Sequence, residues 1–318
     1  MCAATADGEQ DPRTQGWHPD SWEQTFGRTS KTEILDRWPK DKRLAVLLCF
    51  DTQADIDANR PGYQTTVRRD GTPNYVDQME RQYEAKAGLK RILRILRGYG
   101  VKATFPTTGM TAEWYPELIG SVAADGHEVA SHSYSHWLMN SFSRDEEREE
   151  IEKTTEAIAA ATGQRPYGWR SPLYSTTGQT LELLAESGYR WDASFPNDDL
   201  PYWIETKSGT VLAIPSCLDD SNMYLMANSP FATHAGGHFY ASPQHVLNSW
   251  RCEFDVLYEE SLEEARICSI TMHPRVSGRP FRSWALSQLI EHALGHDGVF
   301  FPTCSELAAL CGEPGGPS

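Results

Sequence analysis

Two histidines four residues apart, His132 and His136, are the residues whose spacing most directly indicates chemistry. They follow an apolar stretch, and two imidazoles at this spacing can bind one metal ion, because neutral imidazole is a common ligand of zinc and similar metals. The same spacing recurs at His234 and His238, with two glycines between the histidines. Flexible glycines position metal ligands poorly, so we expect the second pair to line a substrate pocket or to lie on the surface. Since a histidine pair alone is also typical of an exposed surface, its meaning depends on its neighbours.

Three further residues capable of acid–base or electrostatic chemistry follow short apolar runs. Asp51 follows Leu44–Phe50, Arg170 ends another short run, and His273 follows Ile267–Met272. Carboxyl ends of parallel strands meet at one end of a barrel, so we expect these side chains and the histidine pair to share one site. There a metal can polarise an amide carbonyl and activate a water, a carboxylate can take the water's proton, and a histidine can protonate the leaving nitrogen. The constellation predicts hydrolysis of a C–N bond.

The elements that must position these residues alternate between strands and helices. Helix signals include an apolar stripe that ends near Tyr99 and a capping box at Ser143 and Glu146 that opens a helix to about Thr162. We also expect one helix from Ala112 to Asp125. The alternation predicts a parallel sheet of about seven or eight strands that closes into a barrel. The predicted strands are Leu44–Phe50, Lys102–Pro106, His127–His132, Pro166–Pro172, Tyr189–Ser194, Val211–Ile214, Ile267–Met272 and Val299–Phe301.

Composition restricts the partners. The 318 residues carry 29 basic and 44 acidic side chains, a net charge of −15, which argues against nucleic acid or an anionic membrane as partner. No apolar run is long enough for a membrane span, and we see no signal peptide in the polar first forty residues. Seven cysteines without a CxxC pair favour reduced thiols in a cytoplasmic protein.

The chain divides into three predicted parts. Residues 1–42 form an N-terminal arm that wraps the domain through Trp17, Trp22 and Trp38 or is partly disordered. Residues 43–311 form the catalytic barrel. Residues 312–318 have the composition of a disordered tail.

The order of these motifs resembles the polysaccharide deacetylase family, of the NodB-homology or carbohydrate esterase 4 type, over about Leu44 to Cys311. The resemblance implies a distorted (β/α)7–8 barrel and metal-dependent amide hydrolysis by a single divalent ion, Zn²⁺. It also implies that Asp51 is the general base, that His132 and His136 are metal ligands, and that His273 is the general acid. Arg170 and Asp192 would support the base and the acid. The motifs that carry the resemblance are Phe50-Asp51, His132 to His136, Arg170 to Pro172, Asp192 to Ser194, and Met272 to Pro274.

Within the family the chain is most similar to a branch of peptidoglycan-deacetylase-like proteins, cyclic imide hydrolases and cofactor-free allantoinases. The segments Asn197–Tyr202 and His273–Arg282 carry that similarity. It implies a small-molecule amide or imide substrate and a homo-oligomer. We assign substrate-binding roles to Tyr174, Asp199, His238 and Arg279.

One position departs from the branch pattern, in which a second aspartate after the first strand is the third metal ligand. Gln53 occupies that place here, and its neutral amide supplies no charge to a metal. Asp55, Asp57 or Asp51 could provide the ligand instead, or no metal binds tightly. Three hypotheses therefore remain: a hydrolase of a small cyclic imide, ureide or amide, an N-deacetylase of an N-acetylated sugar or peptidoglycan, and a catalytically weakened relative that binds a ligand without turnover.

Overall fold

The computed structural model describes residues 38–56, 71–72, 75–216, 218–220 and 242–312. Five residues discussed above lie outside these ranges: Trp17, Trp22, Asp57, His234 and His238. The substrate-binding assignment of His238 and the candidacy of Asp57 as a ligand therefore stay predictions.

A mostly parallel sheet surrounded by helices forms the framework, as the sequence predicts. The strands of the described part are β1 Leu44–Phe50, β2 Thr104–Thr107, β3 Glu128–Ser131, β4 Gly168–Trp169, β5 Trp191–Phe195, β6 Tyr202–Thr206, β7 Gly209–Pro215, β8 Leu218–Asp219, β9 Arg266–Met272 and β10 Val299–Phe300. Their order in the sheet is β6-β7-β5-β4-β3-β2-β1-β9-β8, and β10 pairs with β1.

The sheet curves into a distorted barrel whose two ends are joined by one stretch of chain. β7 pairs in parallel with β5, whereas β8, which follows β7 almost immediately, pairs in parallel with β9. Between them, the Ser216 hydroxyl lies 2.8 Å from the Thr271 hydroxyl of β9. The strand pairing is interrupted at this junction, but the chain runs from β7 to β8 and so connects the β5 side of the sheet to the β9 side.

The helices surround the strands. They are α1 Tyr75–Arg81, α2 Leu89–Tyr99, α3 Gly109–Trp114, α4 Pro116–Ala124, α5 Arg144–Thr162, α6 Gly178–Glu186, α7 Pro243–Glu260, α8 Pro274–Ser277, α9 Pro280–Leu294 and α10 Cys304–Cys311. A π-helical turn, Glu84–Gly88, precedes α2, and 3₁₀ turns span Met139–Ser141 and Pro172–Tyr174.

Local sequence signals place several elements well. β1 has the predicted bounds, and Ser143 forms the expected capping box with Glu146 at the start of α5, which ends at Thr162. The single helix expected from Ala112 to Asp125 is wrong. Pro116 disfavours a helical backbone at the residue before it, and Tyr115, with φ −130° and ψ 49°, separates α3 from α4.

One strand was not expected. The segment after β5 forms β6, which pairs antiparallel with β7 through a hairpin in which Thr206 faces Gly209. The strand predicted at Val211–Ile214 is the buried part of the longer β7.

The core has two apolar layers, and β1 contributes to both because its side chains alternate. Leu44, Val46, Leu48 and Phe50 pack outward against the helix layer. The intervening residues pack inward with the cluster that contains Trp191 and Leu307 of α10. Trp38 also belongs to this inner cluster and contacts Phe300 edge-on, with 5.9 Å between the ring centroids. The inward-facing residues of β1 are Ala45, Leu47 and Cys49.

Candidate active site

Polar side chains at the carboxyl ends of five strands are buried close to one another. Each directly follows its strand, which is the position where barrels of this kind carry their chemistry. They are Asp51 after β1, His132 after β3, Arg170 after β4, Asp220 after β8 and His273 after β9.

Asp51 and Arg170 form a buried ion pair. Arg170 Nε lies 3.1 Å from Asp51 Oδ2, and the backbone N–H of Asp51 donates to the carbonyl of Met272 at 2.8 Å. The second carboxylate oxygen, Asp51 Oδ1, is buried without a hydrogen-bond partner among the described residues, and so is Arg170 Nη1. Because buried polar atoms are normally satisfied, these two atoms are the ones that a bound water or substrate would satisfy.

Arg170 is held by several further contacts. Its Nη2 donates to the hydroxyls of Tyr174 at 2.9 Å, Ser216 at 3.2 Å and Thr271 at 2.6 Å. Burial alone would lower the pKa of this guanidinium, but the negative charge of Asp51 raises it above its ordinary value. Arg170 is therefore a fixed cation that orients the Asp51 carboxylate.

His132 has the protonation state of a metal ligand or a hydrogen-bond acceptor. Its Nδ1 lies 2.7 Å from the Arg170 carbonyl, which can only accept, so Nδ1 carries the proton and Nε2 presents a lone pair. Burial lowers the pKa of His132 to about 3, which keeps the ring neutral. Nε2 faces Gln53 Nε2 at 3.4 Å and Asp51 Oδ2 at 3.9 Å.

His136 lies beside His132, with 5.0 Å between the ring centroids. The turn that places it is fixed from α5, because Glu150 accepts hydrogen bonds from the backbone N–H groups of Tyr134 at 3.0 Å and Ser135 at 2.9 Å. The His136 N–H donates to Ser133 Oγ at 3.0 Å. Both histidines are thus held in one buried pocket.

The backbone around the site is strained. Positive φ angles near 50–60° in non-glycine residues are uncommon and persist where the surrounding structure imposes them. All five such residues of the described ranges follow β1, β3 or β4: Ala54 (48°), Ser133 (58°), His136 (60°), Leu173 (49°) and Tyr174 (58°). The strain is confined to the turns that carry the candidate catalytic groups.

His273 and Asp220 form the second charged pair. His273 Nδ1 donates to Asp220 Oδ1 at 2.8 Å, and the other oxygen of Asp220 accepts from the His273 backbone N–H at 3.0 Å and from the Ser277 hydroxyl at 2.5 Å. Burial alone would lower the pKa of His273, but the hydrogen bond and charge of Asp220, with the charges of Asp51 and Asp219, raise it to about 9. His273 is therefore a cation at neutral pH whose Nε2–H remains for a substrate.

The supporting role expected for Asp192 stays a prediction. Its carboxylate accepts hydrogen bonds from Ser194 and from Thr176, the latter at 3.0 Å, and burial raises its pKa to about 7. Asp192 therefore braces β5 against the turn before α6. Asp220, which the sequence reasoning did not single out, is the carboxylate that supports His273.

Of the predicted substrate-binding residues, Tyr174 lies in the site and Asp199 does not. The Tyr174 hydroxyl contacts Arg170 and donates to Asp219 Oδ2 at 3.3 Å. The Asp199 side chain is exposed, and its carbonyl accepts from Ile267 near the amino end of β9. That position is about 17 Å along the strand from Met272, at roughly 3.3 Å per residue, so Asp199 does not reach the site.

Arg279 lies on the segment after His273, but other groups already engage its guanidinium. It stacks on the Tyr83 ring, 3.6 Å from the ring centroid, and pairs with Glu80 at 3.1 Å. A substrate contact would have to compete with both.

Gln53 is positioned by a residue that sequence reasoning missed. Glu84, buried in the π-helical turn, accepts the backbone N–H groups of Gln53 at 2.8 Å and Ala54 at 2.6 Å through one oxygen. These bonds hold the strained turn after β1 and direct the Gln53 side chain at His132. Burial raises the pKa of Glu84 to about 7. A glutamate before a helix carries no distinguishing signal in the sequence.

The donor set around His132 fits a divalent metal. The lone pair on Nε2, the adjacent His136 ring and the amide of Gln53, turned so that its oxygen faces inward, supply three neutral ligands. Of the alternative ligands, Asp55 already accepts the Tyr115 hydroxyl at 2.7 Å. Among the described residues, the clusters with three convergent His, Cys or carboxylate ligands are Asp219–Asp220–His273 and the surface group Asp255–His292–His296.

The geometry agrees with what known proteins indicate. The model of the polysaccharide deacetylase family matches residues 70–191. The peptidoglycan deacetylase of Helicobacter pylori is 28% identical over 248 residues, which are 71% of this chain and 84% of that protein. These similarities support an assignment of the chain to the polysaccharide deacetylase family. It is a hydrolase that acts on carbon–nitrogen bonds other than peptide bonds.

Two solved structures of similar proteins cover most of the barrel. The Puue allantoinase is 26% identical with a TM-score of 0.72, over 86% of this chain and 92% of that one. A probable polysaccharide deacetylase of Pseudomonas aeruginosa PAO1 is 28% identical with a TM-score of 0.73, over the same shares of the two chains. No helix of the described residues is long and apolar enough to cross a membrane.

Proposed function

We propose that this family member hydrolyses a C–N bond of a small cyclic imide, a ureide or a related amide, with one Zn²⁺ at the site. The observation that carries the proposal is the buried Asp51–Arg170 pair, which has one partnerless polar atom on each residue among those described. Together with His273, the pair supplies a base and an acid within one pocket.

In the proposed reaction Asp51 accepts a proton from the water that attacks the carbonyl carbon, while Arg170 holds the other carboxylate oxygen. His273 donates a proton from Nε2 to the leaving nitrogen, because its Nδ1 is bound by Asp220. The C–N bond breaks, the carbonyl carbon becomes a carboxyl group, and the nitrogen leaves protonated. A divalent metal on His132, His136 and Gln53 would supply positive charge that polarises the carbonyl oxygen.

The small cyclic substrate is favoured by the similarity to an allantoinase over 92% of that chain. The neutral Gln53 is compatible with it, because a site that binds its metal weakly relies more on the Arg170 and His273 charges. A small-molecule partner, a cytoplasmic location and a homo-oligomer belong to the same proposal, and light scattering on the purified protein measures the last of these.

An N-deacetylase of an N-acetylated sugar is the second candidate. Trp137 directly follows His136 and is 37% exposed, so its indole can stack on a sugar ring. The identity with the Helicobacter pylori peptidoglycan deacetylase favours the same reading.

The test incubates the purified protein with cyclic imides, ureides and N-acetylated oligosaccharides, and follows ring opening and acetate release separately. Ring opening that Asp51→Asn and His273→Ala abolish supports the main proposal. Acetate release without ring opening transfers the assignment to the second candidate. Binding of a substrate without turnover of any amide would identify a catalytically weakened relative and would refute both.

A further inference from the structure

A second cluster of metal-binding side chains lies on the outer surface, away from the strand ends that form the active site. It consists of Asp255 on α7, His292 in the last turn of α9, and His296 just beyond the end of α9. One ligand atom from each lies within 4.8 Å of the others. We propose that this cluster binds a zinc-type divalent cation and cross-links α7 to α9.

The donor chemistry suits such an ion. Two imidazoles and one carboxylate form a common zinc ligand set with room for a water as the fourth ligand, and the same atoms accept nickel or copper. Asp255 is half exposed and supplies the negative charge that Gln53 does not supply in the active site. The carbonyl end of the α9 dipole adds further negative potential where His292 and His296 lie.

The His296 ring is oriented for ligation. Its Nδ1 donates to the His292 carbonyl at 2.9 Å, so its Nε2 presents a free lone pair. A hydrogen bond on the opposite nitrogen is the usual way in which a protein fixes a ligating histidine.

Aromatic packing holds both rings in place. Phe254 contacts His292 and His296 edge-on, with 5.2 Å and 5.1 Å between ring centroids, and Tyr258 contacts His296 at 4.6 Å. The Tyr258 hydroxyl is itself fixed, since it accepts from Arg43 at 3.0 Å. Little side-chain entropy remains to be lost when an ion binds.

The adjustment required for binding is small. His292 Nε2 lies 2.6 Å from Asp255 Oδ1, the length of a short hydrogen bond. A tetrahedral ion with bonds of about 2.0–2.1 Å separates two of its ligands by about 3.3 Å. The exposed carboxylate therefore moves outward by about 0.7 Å. The proton of His292 must lie on Nδ1, so that Nε2 can bind the ion.

The experiment titrates the metal-free protein with Zn²⁺ in a calorimeter and records stoichiometry, affinity and the unfolding temperature. We expect His292→Ala and His296→Ala each to lose one bound Zn²⁺ or to weaken that site at least about tenfold, since even outer contacts of a metal site contribute that much. Asp255→Asn, which keeps a hydrogen-bond acceptor for His292, should weaken the same site. His245→Ala is the matched control, because it removes an exposed histidine from the same α7 without touching the cluster.

Wild-type stoichiometry and affinity in both histidine variants would overturn the proposal, and so would an equal loss in His245→Ala, which would indicate unspecific surface binding. The unfolding temperature separates the outcomes further. Zn²⁺ should raise it in the wild type by more than in His292→Ala, because an ion that binds only the folded state stabilises it. The active-site histidines are unchanged in all these variants, so failure here leaves the proposed reaction intact.

Discussion

Replacing Asp220 with asparagine should disable His273 as an acid at alkaline pH. The substitution keeps the size of the side chain but removes the charge that faces the imidazole. Asp220 also accepts the His273 backbone N–H and the Ser277 hydroxyl on its second oxygen. An asparagine NH₂ group at that position would face these two donors, and in the opposite orientation it would face His273 Nδ1.

The size of the effect follows from the pKa of about 9 that Asp220 and its neighbours give His273 against an ordinary value of 6.5. At pH 8 about nine-tenths of His273 is protonated with the first value and about 3% with the second, so the active acid falls about thirtyfold. Burial, which alone lowers the pKa, persists in the variant and makes the loss larger.

The assay is the pH dependence of kcat/KM with whichever amide the protein turns over. The alkaline limb should lie near pH 9 in the wild type and at or below about 6.5 in Asp220→Asn. Asp219→Asn is the matched control: Asp219 lies 4.0 Å from His273 Nδ1, against 2.8 Å for Asp220, so its removal should move the limb less. An alkaline limb at the same pH in the wild type and Asp220→Asn would refute the reasoning.

Stability provides an independent readout of the same pair. His273 has a raised pKa in the folded protein, so its pairing stabilises the fold fully below about pH 6.5 and progressively less as the pH rises to about 9. Urea unfolding should therefore show a loss of stability between these pH values that Asp220→Asn lacks.

Three further predictions concern positions around the site. Burial raises the pKa of Asp192 to about 7, so the free energy of unfolding of the wild type should fall by about 2–3 kcal/mol as the pH rises from 5 to 8. Urea unfolding of Asp192→Asn should not show this fall. Glu84→Ala should destabilise the fold by about 1–3 kcal/mol and lower the metal bound per chain, whereas Glu84→Gln, which retains the accepting oxygen, should lose less of both. Gly168→Ala should destabilise by about 3 kcal/mol or more in the same unfolding assay, because its Cβ would lie 1.8 Å from Trp191, whereas Gly98→Ala in α2 has open space and should stabilise by about 0.5–1 kcal/mol.

Much of the site could be predicted because each of its main residues follows a strong local signal. Asp51 and His273 come directly after buried strands of seven residues, and apolar runs of that length are visible in any single sequence. Parallel strands then bring their ends together whatever the loops do. The histidine pair and Arg170 follow shorter strands, whose local signal is weaker. For these residues the spacing of the motifs along the chain supported the prediction.

Residues outside such runs were missed or misplaced for physical reasons. Asp220 follows β8, which has only two residues and no periodicity, and the break after β7 moves it from the apparent end of that strand to the neighbour of β9. Asp199 was assigned from the resemblance of a segment, but the unpredicted β6 draws that segment toward the amino end of β9. A Ser-Gly turn signal at Ser208 and Gly209 was the available indication of the hairpin.

The balance of charge explains how acid and base operate together. A carboxylate base and an imidazolium acid in one pocket would exchange their proton if they faced each other alone, and both would then lose their function. Here each has its own counter-ion: Arg170 lies 3.1 Å from Asp51, and Asp220 lies 2.8 Å from His273. Each pair is neutral as a unit, so burying both costs less than burying two isolated ions. With the base and acid fixed in this way, the neutral Gln53 leaves any bound metal more of its charge for the substrate carbonyl, at the expense of affinity for the metal.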